Sequence, residues 1–252
     1  MTSSRHIALI TGASSGFGRA TAALLAQHGY ALILIARREE RLHALQRELM
    51  VPVYAKSLDI RNRKEVEVFF HTLPDAFSPI DVLVNNAGLA LGLAPAQDAQ
   101  LDDWEVMVDT NVKGLLYVAR CVLEIMKRQN RGIIINIGSV AGEASYKGGN
   151  VYSATKAFVS QFSRNLRADL FGTNIKVTNL EPGAAETEFS LVRFKGDAAR
   201  AKSVYERSTP LTAQDIAETI LWIVQRPGHV NIDSIRIMPL DQTWNGLVMN
   251  KK

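Results

Sequence analysis

The sequence predicts an α/β fold, a doubly wound and mostly parallel sheet with helices on both faces, in one domain over 1–252. Three observations carry this. Apolar runs of strand length alternate with helix-period patterns along the whole chain. The first run is followed by a glycine-rich turn that opens a helix. Finally, 252 residues at 47% hydrophobic content can bury one large core, and no linker, repeat or low-complexity tract divides them.

His6-Ile7-Ala8-Leu9-Ile10 has the composition of a buried strand. The turn Thr11-Gly12-Ala13-Ser14-Ser15-Gly16-Phe17-Gly18 comes next, then a helical pattern through Ala20, Leu24 and Leu25 that stops at Gly29. Strand, glycine turn and helix in this order place unpaired backbone N–H groups and the positive helix end where a pyrophosphate sits, the arrangement of a Rossmann dinucleotide site. A second strand, Ala31–Ala36, leads into Arg37-Arg38, where an acid would hold the ribose 2′-hydroxyl of NAD. No carboxylate stands there. A guanidinium forks onto a 2′-phosphate instead, so the expected cofactor is NADP(H), held by Arg37. Arg38 either joins it or faces water as part of the mixed-charge run Arg37–Arg41.

A helix over Trp104–Met126 carries Val118, Val122 and Ile125 on an apolar face, and Cys121 is expected in that packing. The apolar run Ile133–Gly138 ends at Ser139, whose hydroxyl can donate to a substrate oxygen. Tyr152 and Lys156 are four apart and share one helix face. That helix is predicted to reach Leu170 by the stripe Ala154, Phe158, Phe162, Leu166 and Leu170, with Gly172 as its stop. A phenol of pKa near ~10 is a poor base at neutral pH, and a fixed ammonium beside it favours the phenolate. Lowering it by about 3 units takes roughly 4 kcal/mol, which the ammonium and a positive nicotinamide ring are expected to supply.

From Ile7 to Pro239 the chain resembles the short-chain dehydrogenase/reductase family. The likeness rests on the Thr11–Gly18 turn, Asp59 after the third strand, Asn85-Asn86-Ala87-Gly88, Asn111, Ser139, Tyr152-Ser153-Ala154-Thr155-Lys156, and Pro182-Gly183 with Thr187 behind. The resemblance implies that Asn111 holds a water linking Lys156 to solvent, completing a catalytic set with Ser139 and Tyr152. It implies that Asp59 meets the adenine amine, Asn86 the ribose region and Thr187 the nicotinamide amide. It places Ser14, Ser15, Phe17, Ala87, Gly88, Pro182 and Gly183 along the same cofactor. Asp59 has a second reading as the cap of a helix near Arg61, and Asn111 one as local backbone bonding within a helix.

Substrate choice is expected from the loop at about 184–210, which reads Glu186-Thr187-Glu188-Phe189-Ser190-Leu191-Val192-Arg193-Phe194-Lys195-Gly196-Asp197 at its start. This stretch, together with Asn85–Pro95, Gly148–Tyr152 and His229–Ile232, resembles the branch of NADP-dependent 3-hydroxy acid dehydrogenases that also oxidise serine and allo-threonine. Arg193 is the natural clamp for a substrate anion one carbon beyond the reacting centre, with Tyr146, Ser139 and Tyr152 completing the site. A sulfonate in place of the carboxylate, as in sulfoacetaldehyde, fits the same geometry. Lys147 either adds charge for such a sulfonate or faces solvent.

Composition narrows the remaining classes. A net charge of +4 without a basic block gives no support for nucleic-acid binding. No run of about 18 uncharged apolar residues exists, and Met1–His6 leads straight into the first strand, so neither a membrane span nor a signal peptide is expected. One cysteine fits a reducing cytoplasm. His6, His28, His43, His71 and His229 show no metal-ligand spacing. The wide apolar faces of the Trp104–Met126 and Tyr152–Leu170 helices are expected to pair in a homotetramer, as they do in the family. For the tail from Leu240 to Lys252, packing of Trp244 and Met249 on the same subunit or on another is left open.

Overall fold

The apolar runs form the centre of a parallel sheet, whose inner strands are buried on both faces while the edge strands β3 and β7 stay partly exposed. The structure, a computed structural model, describes residues 6–244 and 246–250. Among them the chain runs β1 (Ile7–Thr11), α1 (Gly16–Gln27), β2 (Ala31–Ala36), α2 (Glu39–Glu48), β3 (Val53–Ser57), α3 (Arg63–His71) and β4 (Val82–Asn85). There follow α4 (Leu101–Val108), α5 (Leu115–Gln129), β5 (Gly132–Ile137), α6 (Asn150–Asp169) and β6 (Ile175–Pro182). The last elements are α7 (Glu188–Arg193), α8 (Ala198–Ser203), α9 (Ala213–Val224) and β7 (Ser234–Ile237).

The strand order is β3-β2-β1-β4-β5-β6-β7, and every pairing is parallel. Alternate residues of each strand serve opposite cores. Ala8 and Ile10 join Leu25, Leu42 and Ile220 on one face, while Ile7 and Leu9 join Phe69, Val122 and Leu166 on the other. Continuous apolar strands are what a sheet covered on both sides requires. The order reverses between β1 and β4, and a ligand crevice opens at such a point beyond the C-terminal strand ends. Thr11 braces it: its Oγ1 accepts hydrogen bonds from Asn86 N at 3.1 Å and Ala87 N at 3.0 Å.

Two helices depart from expectation. The predicted Trp104–Met126 helix is α4 and α5 joined through a π-helical turn, Asp109–Gly114. In α6 the expected stripe is buried only at its C-terminal end, at Leu166 and Leu170. Phe158 and Phe162 are half-buried and stack on each other, centroids 5.8 Å apart, and Ala154 is exposed. The buried line is Tyr152, Thr155, Lys156, Val159, Ser160, Ser163 and Leu166. The reason is that α6 crosses polar strand positions: Asn85 Nδ2 donates to Asn136 Oδ1, and Asn136 Nδ2 to Ser163 Oγ, both at 2.9 Å. Cys121 is half-buried at the edge of the core, and burial pushes its thiol up.

The tail folds back on its own subunit. Gln242 bridges to Met249, Gln242 Oε1 accepts from Ala184 N at 2.8 Å, and Arg236 lies 4.6 Å from the Trp244 ring. Among the described residues no helix is long and apolar enough to cross a membrane.

Candidate active site

A cleft of about 450 Å³ opens at the switch point, reaching from the glycine turn to the tail. Its floor needs glycine. Gly12 has φ +68°, and a Cβ there would lie 2.9 Å from Ala87 Cα. At Gly18 a Cβ would meet the Gly12 carbonyl oxygen at 2.5 Å, so the turn and α1 pack only without it. All expected site residues line this cleft except Gly18 and Asn111, which lie just behind it. Around the turn are Gly12, Ser14, Ser15, Gly16, Phe17, Arg37, Arg38, Asp59, Asn86, Ala87 and Gly88; further along come Ser139, Tyr146, Tyr152, Lys156, Pro182, Gly183, Thr187 and Arg193.

At the adenosine end the two arginines differ. Arg37 is exposed on the cleft wall, while Arg38 donates from Nε to Ser14 Oγ at 3.2 Å and from Nη2 to Ser15 Oγ at 2.6 Å. Arg38 therefore does not simply face water. Asp59 is not a helix cap: it takes a two-pronged contact from Arg61, closest approach 2.6 Å, and Asn62 caps α3. The hydrogen bond from Arg61 holds the Asp59 carboxyl below its ordinary range against the opposing effect of burial. The Asn86 amide is spent on the turn, donating to Thr11 O at 2.9 Å and Gly12 O at 3.3 Å. Thr187 Oγ1 accepts from Phe189 N and so starts α7.

At the catalytic end, β5 delivers Ser139 and the first turn of α6 delivers Tyr152. Ser139 Oγ accepts from Ala141 N at 3.1 Å, donates to Pro182 O at 3.5 Å, and lines the same cleft as Tyr152. One turn along, Lys156 Nζ donates to Ile137 O at 2.7 Å and lies 5.9 Å from the centre of the Tyr152 ring. The expected drop in the phenol's pKa is reversed for the protein's own groups. Burial pushes Tyr152 up to about 12, opposed by the nearby Arg193 charge and the Ser139 hydrogen bond. Burial likewise brings Lys156 down to about 8. The cause is desolvation without a close counter-ion: the Lys156 ammonium is turned to a carbonyl.

Asn111 sits in the π turn with its side chain fully used. Its Oδ1 accepts from Leu89 N at 2.9 Å, and its Nδ2 donates to Leu89 O at 2.8 Å and Thr155 Oγ1 at 3.0 Å. A Cβ on Gly88 would lie 3.2 Å from Asn111 Oδ1 and 3.6 Å from Lys156 Nζ, so Gly88 keeps open the space between them.

Of the candidate cations for a substrate anion, Arg193 alone is at the phenol. Its guanidinium carbon lies 5.1 Å from the Tyr152 ring centre and 5.4 Å from that of Phe189, and its Nη2 donates to Tyr146 Oη at 2.6 Å. Its Nε is buried without a hydrogen-bond partner. Lys147 is exposed and absent from the cleft wall, and Lys195 is paired with Asp103 at 2.9 Å. The wall also includes Glu188, Tyr205, Gln242, Leu247 and Met249, which the sequence reading missed as site residues. Gly183 carries a signal for one of them, since a Cβ there would collide with the Gln242 side chain.

The chain and its fold match known proteins. A family model described as short chain dehydrogenase matches residues 6–196. The chain is 52% identical over 246 residues to an NADP-dependent 3-hydroxy acid dehydrogenase of Salmonella typhi, covering 97% of this chain and 99% of that protein. It is 49% identical to sulfoacetaldehyde reductase 2 of Chromohalobacter salexigens, covering 97% and 98% of the two chains. Among solved structures, the closed form of serine dehydrogenase complexed with NADP+ superposes with a TM-score of 0.94 at 49% identity, covering 98% of this chain and 100% of that one.

Proposed function

The chain belongs to the short-chain dehydrogenase family, and from that premise we propose that it is an NADP(H)-dependent oxidoreductase interconverting a short anionic 3-hydroxy acid and its aldehyde. The observation that carries the substrate class is Arg193, whose guanidinium stands over the Tyr152 ring with a buried, unpartnered Nε. An acid group one carbon beyond the reacting carbon meets that guanidinium, which lines the cleft, while the reacting oxygen meets Ser139 and Tyr152. The similarity to NADP-dependent relatives and the acid-free end of β2 support the cofactor. The residues present fit it: Gly12, Ser14, Ser15, Gly16 and Phe17 line the cleft at the start of α1, where a pyrophosphate would sit, and Arg37 is exposed on the wall at the 2′ end.

The bound nicotinamide supplies or accepts the hydride. In reduction, Ser139 orients the aldehyde oxygen and Tyr152 gives it a proton, for which a phenol protonated at neutral pH is already in the right state. Lys156 stands next in line to restore that proton. Asn111 fixes Leu89 and Thr155 around it, and the space beside Gly88 suits a relay water. Phe189 covers the Tyr152 ring, centroids 5.6 Å apart, and helps exclude solvent.

A sulfonate substrate is the second reading, favoured by the likeness to the sulfoacetaldehyde reductase. Lys147 gives it no support, because it faces away from the cleft. The half-exposed apolar surface of α6 around Phe158 and Phe162 supports a homotetramer, and the single cysteine supports a cytoplasmic setting. The test is NADPH oxidation with malonic semialdehyde, sulfoacetaldehyde, succinic semialdehyde and an uncharged aldehyde. Carboxylate aldehydes with one intervening carbon should lead, and equal turnover of the uncharged compound would overturn the reading.

A further inference from the structure

A carboxylate of the substrate loop reaches across to the far end of the cofactor cleft. Glu188, the first residue of α7, accepts from Arg38 Nη1 at 2.7 Å and from Arg41 Nη1 at 2.6 and 2.8 Å. Burial pushes its carboxyl up, but the two arginines together hold it below its ordinary range. The same Arg38 holds Ser14 and Ser15 with its other nitrogens, so its fork is occupied on all three sides. A 2′-phosphate placed against the end of β2 brings up to two negative charges to that fork, next to a carboxylate already there.

We propose that Glu188 is a cofactor-selecting residue: its carboxylate competes with the 2′-phosphate for Arg38 and so moderates the preference for NADPH over NADH. This rests on the NADP(H) reading above. Arg41 makes the competition workable. It grips both oxygens of Glu188, so α7 stays anchored when Arg38 turns to the phosphate. The arrangement also links the two ends of the cleft. Phe189 and Arg193, on the same short helix, lie on Tyr152, so the group that faces the 2′ position and the groups that face the substrate share one element.

The test is calorimetric binding of adenosine 2′,5′-bisphosphate and of AMP to the parent and to Glu188→Gln, which keeps the shape and an acceptor oxygen but removes the charge. In the variant the 2′-phosphorylated nucleotide should bind about three- to fivefold more tightly, the scale of a partly exposed ion pair, with AMP unchanged. Its salt dependence should steepen, because the phosphate then meets more uncompensated positive charge. An unchanged ratio of the two affinities, or weaker binding of the bisphosphate, would overturn the proposal; weaker binding would mean that Glu188 positions Arg38 for the phosphate. The parent's own ratio tests the cofactor reading separately. If the parent shows no preference, that reading fails, while a preference appearing in the variant would still establish the competition.

Discussion

The Arg193 guanidinium and the Tyr152 ring face each other at 5.1 Å, which sets the proposed anion clamp against the proposed proton donor. Arg193→Ala should lower kcat/KM for carboxylate or sulfonate aldehydes by about 1.5–3 kcal/mol, the range for a hydrogen bond to a charged group. An uncharged aldehyde of similar size should be spared. Equal losses on both, measured by steady-state kinetics, would show that Arg193 supports the fold of the loop. Its charge also holds down the Tyr152 pKa, so the variant's phenol should titrate higher.

Tyr152→Phe removes the proton donor and leaves the walls of the cleft in place. Turnover should fall by at least about a hundredfold, the lower range of general acid catalysis. NADPH should still bind, as read by quenching of protein fluorescence. Activity within tenfold of the parent would move the acid to another group.

Arg37 is exposed on the cleft wall beyond β2. Replacing it with Ala should raise the Kd of NADPH by about tenfold, one charge-assisted contact, and leave that of NADH nearly unchanged. A parallel loss for both cofactors would assign the 2′-phosphate to Arg38 alone.

Lys156 carries a pH signature. Its ordinary value is 10.5 and burial lowers it to about 8, so between these values the unfolded chain holds a proton that the folded chain has released. Stability from this group therefore rises with pH across that window. Compared with Lys156→Met, the parent should gain on the order of 2–3 kcal/mol between pH 7 and pH 10 in urea unfolding. Tyr152, raised to about 12, works in the opposite sense above pH 10, but it is present in both proteins. A constant gap would mean that the ammonium titrates at its ordinary value.

Elements whose partners are close in sequence were legible. β2 was read to the residue as Ala31–Ala36, and β1 and α6 to within about two. The placement of Tyr152 and Lys156 was legible because a spacing of four fixes them on one face of a helix. What could not be read depends on distant partners. Glu188 meets Arg38 across 150 positions, and Gln242 meets Ala184 across 58. The α6 stripe misled because hydrophobicity alone cannot show that the strands beneath present Asn85 and Asn136. The upward shift of Tyr152 among the protein's own groups was not legible, because spacing gives proximity and not the direction in which Lys156 Nζ points.

The π turn between α4 and α5 sets the phase of two helices against each other. One residue more than the α-helical repeat rotates everything on its far side by about 100°. With that offset α4 packs on α6 and α5 packs on α3, two neighbours in different directions served by one uninterrupted rod. Asn111 lies inside the offset, in the place where the chain has a residue to spare. Deleting a single residue between 109 and 114 would give a more regular helix, yet it would turn Met107 and the rest of α4 out of their seats or pull Asn111 away from Leu89. In this chain the irregular turn acts as a gear tooth between α6, which carries Tyr152, and α3 further along the same face of the sheet.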